Sequence, residues 1–212
     1  MGSLVIADIV CNRIIPVITL NRVEDAQPLA GALKDAGMNV LEITLRTKSA
    51  MDALEILAQD PELLVGVGSV TNVNQLEKAH SLGAKFAVSP GIRSNLVMAA
   101  QELGLIYIPG VATASEIMLG IDCGLSTLKF FPSETLGGVP ALKAMSAPFP
   151  EMSFIPTGGI NSDNAGSYLD QKNVLAIGGS WMVSPSLIEA NNFDEISRLA
   201  TIAIKQFAVE PK

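Results

Sequence analysis

The chain has 212 residues, 49% of them hydrophobic and only 17% charged, and carries a net charge of −7. Such a chain is long enough to bury a substantial core and too apolar to stay disordered. The acidic balance and the lack of any Lys or Arg run argue against a nucleic-acid or anionic-membrane surface.

Cys11 and Cys123 lack CxxC spacing, and so few thiols suggest a reducing compartment. Asp8 interrupts the first apolar stretch, which has no basic region before it, so no signal peptide is expected. The longest uncharged run, Asn173 to Ile188, contains Gly178, Gly179 and Pro185 and falls short of the roughly 18 residues of a spanning helix. A cytoplasmic protein with one domain over residues 1–212 is expected.

In chain order, Met1 to Asn12 reads as a short helix closing one end of the domain. Ile14 to Leu20 is a strand run, and Asn21 is placed to cap a helix that ends at Gly37. Asn39 to Arg46 alternates: Leu41, Ile43 and Leu45 share one face, while Val40, Glu42, Thr44 and Arg46 share the other. The pattern repeats with a helix 49–59, a strand 63–69, a helix 72–81, a strand 85–89 ending in Pro90-Gly91, a helix 94–103, a strand 105–109 and a helix 113–123. The stretch Leu125 to Glu134 forms the next strand and stops at Pro132; Thr127, Lys129 and Phe131 share one of its faces. A helix 139–146, a strand 153–156, a helix 162–169, a strand 174–177 and helical segments 185–208 complete the chain.

Strict alternation with short connections implies parallel strands joined by right-handed crossovers. About eight βα units in a chain just above the roughly 200-residue lower limit predict a compact (β/α)8 TIM barrel with a short N-terminal helix. An open doubly wound sheet is the competing fold, but its GxGxxG fingerprint is missing after the first strand.

The working face of such a barrel lies at the C-terminal strand ends. Glu42, Arg46, Ser69, Pro90-Gly91, Lys129, Thr157-Gly158-Gly159 and Gly178-Gly179-Ser180 would converge there. A lysine in an apolar strand is either half of a structural ion pair, a chain snorkelling to water, or an amine that burial keeps available as a Schiff-base nucleophile. Glu42 is either a structural counter-ion of Lys129 or Arg46, or a proton carrier. Arg46 lies two same-face steps beyond Glu42, roughly 13 Å at about 3.3 Å per residue, where it either clamps a carboxylate or ends the strand in solvent. The two glycine pairs either make tight turns or let backbone N–H groups reach an anion, and loops seven and eight are the usual phosphate site of this fold. His80, the only histidine, sits in a predicted helix, so neither a metal site nor a Ser-His-Asp triad is expected, and no cofactor is implied.

The segments LEITLR at 41–46, VGSV at 67–70, SPG at 89–91, KFFPSE at 129–134, PTGGI at 156–160 and IGGSW at 177–181 together resemble the 2-keto-3-deoxy-6-phosphogluconate (KDPG)/4-hydroxy-2-oxoglutarate aldolases. The resemblance covers nearly the whole chain and implies a class I aldolase of the Entner-Doudoroff route of sugar-acid degradation, usually a homotrimer of barrels. It would cleave KDPG, a phosphorylated 2-keto acid, to pyruvate and glyceraldehyde 3-phosphate, and 4-hydroxy-2-oxoglutarate to pyruvate and glyoxylate. By motif position Lys129 would form the Schiff base and Glu42 would shuttle protons. Arg46 and Ser69 would hold the pyruvyl carboxylate. Thr157 would line the pocket, Gly158, Gly159 and Ser180 would hold the phosphate, and Pro90 and Gly179 would be further substrate-binding residues. The family commonly has threonine where this chain has Ser69, which keeps the hydroxyl and loosens the rotamer. A phosphosugar epimerase, isomerase or decarboxylase without a covalent intermediate is the alternative.

Overall fold

The computed structural model describes residues 4–207; the first three residues of the expected N-terminal helix and Ala208 lie outside them. The strands are β1 (Ile14–Ile18), β2 (Val40–Thr44), β3 (Leu64–Gly68), β4 (Phe86–Val88), β5 (Ile106–Ile108), β6 (Gly110–Val111), β7 (Thr127–Phe130), β8 (Ser153–Phe154) and β9 (Ile177–Gly179). The helices are α1 (Ile6–Ile9), α2 (Ala26–Asp35), α3 (Ala50–Leu57), α4 (Val73–Ser81), α5 (Ser94–Glu102), α6 (Ala114–Asp122), α7 (Gly138–Ser146), α8 (Ala165–Leu169), α9 (Pro185–Glu189) and α10 (Phe193–Phe207).

Every strand pairing is parallel, as alternation with helical crossovers requires. The pairings form an open six-stranded sheet, β5-β4-β3-β2-β1-β9, and a three-stranded sheet, β6-β7-β8. A continuous eight-stranded ring, expected from the sequence, is therefore not what the ladders describe. Two prolines account for the interruptions. Pro109 divides the expected 105–109 strand from β6, and Pro156 follows the two-residue β8; neither can donate to a ladder.

The hydrophobic residues sort onto two sides of the strands. Leu41 and Ile43 of β2 and Leu128 and Phe130 of β7 join the large core packed under the helices. Ile15, Val40, Phe86, Val88, Ile108, Ile155 and Ala176 form a second cluster inside the strands, drawn from the six-stranded sheet together with Ile155, which follows β8, and Ala176, which precedes β9. Ile9 of α1, 1% exposed, plugs this inner cluster, so the short helix does close one end. Full burial of such a side chain contributes about 1.5–3 kcal/mol.

Several boundaries move for local reasons. Asn21 does not cap α2; its amide donates to Glu189 at 2.8 Å, and the chain enters α2 through a 3-10 turn, Val23–Asp25, where Arg22 grips Asp25 at 2.9 and 2.7 Å. The helix expected over 162–169 begins only at Ala165. Asn161 and Asn164 side chains accept from the backbone N–H groups of Asp163 and Asn161, at 2.9 and 2.8 Å, and hold 161–164 as a turn. The last strand lies three residues later than its expected start, so Gly178 and Gly179 pair with Ile15 and Pro16 as strand residues rather than forming a turn.

Candidate active site

Strand periodicity delivers the two central side chains. β2 presents Glu42 on the face opposite Leu41 and Ile43, and β7 presents Lys129 opposite Leu128 and Phe130. They are 3% and 6% exposed, and Lys129 Nζ donates to Glu42 Oε1 at 3.2 Å. The pair joins a strand of the six-stranded sheet to one of the three-stranded sheet across the interior. Backbone bonds bring β7 to this position: Lys129 N–H donates to the Pro109 carbonyl at 2.8 Å.

Two further features complete this centre. Gly68 lies opposite Thr44 in the β2–β3 register, and a Cβ there would stand 2.0 Å from Glu42 Oε1, so glycine makes the space the carboxylate occupies. The Phe131 ring lies 5.4 Å from Lys129 Nζ and faces the ammonium with its electron-rich surface. The Lys129–Phe131 shared face signals that contact, whereas nothing local signals Gly68.

Arg46 lies in the turn after β2, not on the strand as expected, and its Nε donates to Ser69 Oγ at 3.0 Å. Ser69 follows β3 with φ 62°, a left-handed conformation that costs a non-glycine residue on the order of 1–3 kcal/mol. That backbone turns its hydroxyl to the guanidinium. Together they present one cation and one hydroxyl at the strand ends.

A pocket of about 180 Å³ is lined by Val17, Arg46, Phe131, Thr157, Gly158, Gly159, Ile160, Gly178, Gly179 and Ser180. Of the residues named from sequence it gathers Arg46, Thr157, Gly158, Gly159, Gly178, Gly179 and Ser180. Val17, Phe131 and Ile160 are additions; Val17 is the register partner of Glu42. Pro90 lies elsewhere, in a neighbouring depression with Val70, Thr71 and Arg93, where its carbonyl packs against Gly110.

The 157–159 turn has a defined polarity. Ser133 and Glu134 N–H groups donate to the Thr157 and Gly158 carbonyls at 2.8 and 3.0 Å. In a trans peptide the N–H points opposite to the C=O, so the Gly158 and Gly159 N–H groups face away from that segment. The Gly159 and Ser180 N–H groups have no backbone acceptor among the described residues, whereas the parallel bridge between Thr157 and Gly178 turns the Gly158 N–H towards the Gly178 carbonyl. Gly158 and Gly159 hold φ of 102° and 77°, which glycine alone adopts without strain. Gly178 serves by its small size instead, since a Cβ there would meet Thr157 Oγ1 at 2.4 Å, and its absence lets Thr157 pack against β9. No helix end adjoins the turn, since α8 starts only at Ala165.

His80 lies exposed in the last turn of α4, and Cys11 and Cys123 are unpaired thiols. No helix among the described residues is long and apolar enough to cross a membrane.

The family model for KDPG and KHG aldolases matches residues 5–199. The KHG/KDPG aldolase of Escherichia coli K12 is 47% identical over 193 residues, spanning 91% of each chain. Among solved structures, KDPG aldolase from Legionella pneumophila, with pyruvate captured as a covalent carbinolamine intermediate, superposes with a TM-score of 0.90 at 44% identity, covering 93% of this chain and 96% of that one. The KDPG aldolase of Zymomonas mobilis ZM4 with 3-phosphoglycerate gives 0.88 at 39% identity, covering 96% and 97%. With this extent of match in sequence and in fold, the chain belongs to the KDPG and KHG aldolase family.

Proposed function

We propose that this aldolase cleaves KDPG to pyruvate and glyceraldehyde 3-phosphate, and 4-hydroxy-2-oxoglutarate to pyruvate and glyoxylate, through a Schiff base on Lys129. The observation that carries this reading is the buried 3.2 Å contact between Lys129 Nζ and Glu42 Oε1. An amine beside a carboxylate, both withdrawn from bulk water, has a proton acceptor already in place.

The chemistry follows from that pair. Glu42 takes a proton from Lys129, Nζ attacks the C2 carbonyl to form a carbinolamine, and Glu42 returns that proton to the carbinolamine hydroxyl, which leaves as water to give an iminium. The C4 hydroxyl then passes its proton to the Glu42 carboxylate as the C3–C4 bond breaks; the aldehyde leaves, and the bonding electrons form an enamine with C2. Glu42 returns a proton to C3, and water hydrolyses the iminium to release pyruvate and the amine. Arg46 and Ser69 hold the pyruvyl carboxylate, a pairing favoured by the planar guanidinium and the adjoining hydroxyl. Gly158, Gly159 and Ser180 hold the phosphate through backbone N–H groups, those of Gly159 and Ser180 being unbonded, with Thr157 and Gly179 lining the same pocket. The phosphoglycerate bound to the Zymomonas relative is a phosphate monoester of the same kind. Pro90 shapes the rim beyond Ser69 rather than the phosphate pocket.

The two sheets complete a (β/α)8 barrel in this reading. Its support is the backbone bonding across both gaps: Gly110 N–H to Ser89 O at 3.0 Å on one side, and Gly178 N–H to Pro156 O at 2.9 Å on the other. Residues 1–212 form one catalytic domain, in keeping with a core that draws on elements from β1 to α10. The protein works in the cytoplasm, where Cys11 and Cys123 stay reduced. It assembles as a homotrimer, for which the exposed Met98, Met118 and Ile121 on α5 and α6 supply apolar surface.

The deciding experiment is peptide mass spectrometry after incubation with pyruvate and sodium borohydride. A reduced pyruvyl adduct is expected on Lys129 and absent from Lys129→Arg. A folded wild-type protein that yields no adduct would remove the covalent mechanism and promote a non-covalent phosphosugar reaction.

A further inference from the structure

Nothing in the aldol chemistry uses Tyr168, a fully buried tyrosine on α8. Its hydroxyl accepts from Ser133 Oγ at 2.9 Å and donates to the Glu134 carboxylate. Burial, with the neighbouring Glu134 carboxylate adding to it, pushes this hydroxyl up to about 12, so it remains a donor throughout the neutral range. Three polar groups are thus tied together behind the glycine turn, and their geometry relates them to it.

Ser133 and Glu134 are the two residues whose N–H groups hold the Thr157 and Gly158 carbonyls. The Glu134 stem crosses the turn itself: a Cβ on Gly159 would lie 2.6 Å from Glu134 Cβ and 2.8 Å from its Cγ. The carboxylate ends at Gly138, where a Cβ would lie 3.0 Å from Glu134 Oε1 and 3.4 Å from the Tyr168 hydroxyl. A flexible acidic side chain therefore starts beside Gly159, on the carbonyl side of the turn whose opposite side carries the N–H groups read as the phosphate grip. Left loose, its carboxylate would compete for those donors and repel a dianion.

We propose that Tyr168 is a positioning residue for phosphate recognition, anchoring the Glu134 carboxylate against Gly138 and keeping its negative charge off the Gly158–Gly159 turn. This inference rests on the phosphate reading given above. It predicts a selectivity effect: phosphorylated substrate depends on the anchor, whereas 4-hydroxy-2-oxoglutarate, which has no phosphate, does not.

The test compares KM and kcat of Tyr168→Phe for both substrates. Loss of one buried hydrogen bond, with release of the carboxylate, should raise KM for KDPG about three- to tenfold while KM for 4-hydroxy-2-oxoglutarate stays within about twofold. Adding Glu134→Gln to Tyr168→Phe removes the released charge and should restore most of the KDPG affinity. Equal losses for both substrates, no loss for either, or no rescue by Glu134→Gln would overturn the proposal. Should Tyr168→Phe fold poorly, Glu134→Gln alone serves: its amide oxygen still accepts from Tyr168, so KDPG affinity should hold or improve, and a several-fold loss would overturn the charge argument. Inorganic phosphate, tested as a competitor of 4-hydroxy-2-oxoglutarate in the unmodified enzyme, separates the two readings. Failure to compete there would refute the phosphate grip itself, whereas equal competition in the unmodified enzyme and Tyr168→Phe would refute the role of Tyr168 alone.

Discussion

Replacing Gly68 by alanine should damage catalysis as well as stability. The new Cβ would lie 2.0 Å from Glu42 Oε1, 2.8 Å from Cδ and 2.9 Å from Cγ, so the whole end of the side chain must move, not only one oxygen. Restoring an ordinary contact displaces Oε1 by about 1 Å or more, and a misplacement of that size costs on the order of 10²-fold in rate. The same oxygen is the one 3.2 Å from Lys129 Nζ, so proton transfer and imine formation should both suffer. Overpacking by one methyl costs about 1–3 kcal/mol, and each kcal/mol lowers Tm by roughly 2–4 °C in a chain of this size. Pyruvate release followed with a coupled dehydrogenase, alongside the rate of borohydride trapping and a thermal melt, measures the separate effects. A folded Gly68→Ala enzyme with kcat within about threefold of wild type would refute the argument that Glu42 must stand where it does.

Three further outcomes follow from the packing. Ile9→Ala opens a cavity in the inner cluster at the end away from the site, so it should lose about 2–5 kcal/mol in urea unfolding with kcat nearly unchanged; a large fall in kcat at equal folding would place α1 nearer the chemistry than its packing does. Burial, partly offset by the bond to Ser89, pushes the Tyr107 hydroxyl up to about 12. The unfolded chain therefore ionises first, near pH 10, and its contribution, full below that pH, is lost as pH rises towards 12. Stability should then fall by on the order of 2–3 kcal/mol across that window, and denaturant midpoints of Tyr107→Phe should show a shallower decline than wild type. Finally, Lys129→Met alone strands Glu42 and should cost about 3–5 kcal/mol, whereas Lys129→Met with Glu42→Leu should be neutral or more stable than wild type. A double variant as unstable as the single one would give the pair a structural purpose.

Strand periodicity makes much of this site legible in the sequence. Two-residue alternation places Glu42 and Lys129 opposite their apolar neighbours, which is where β2 and β7 carry them. Their contact is a further step, since 87 residues separate them and only the fold decides that β2 faces β7. The glycine pairs look alike in sequence and are two kinds of object. Gly158-Gly159 makes a left-handed turn, while Gly178-Gly179 is strand, and nothing local separates a glycine needed for its dihedrals from one needed for its missing Cβ. Gly68 belongs to the second kind and is silent in the sequence for the same reason. Arg46 sits on a different element from the one its spacing suggests but beside the expected neighbour, Ser69. The helix start shifts where Asn side chains bond to the backbone, as at Asn161, because that competition is decided by turn geometry the residue names do not state.

The ion pair also constrains what selection has kept in this molecule. Taking both charges out of water costs several kcal/mol per ion, and mutual attraction offsets that only with good geometry and further hydrogen bonds. Here the contact is a single one at 3.2 Å, with no second acceptor on Lys129 among the described residues, so the pair is an inefficient way to join two sheets. The surrounding inner cluster shows the less costly solution: Val40 on the same face of β2 is apolar, as are Ile15, Phe86, Ile108 and Ile155 around it. Polar residues enter only at the other end of the interior, where Arg46, Ser69 and the 157–159 turn also gather. A loosely bonded amine beside a carboxylate is costly for stability and suited to reaction, because neither group has to be freed from a dense network before a carbonyl arrives. The interior is thus graded along the strands, closed with hydrocarbon near α1 and left chemically available at the strand ends, and Lys129 stands at the point where the first condition gives way to the second.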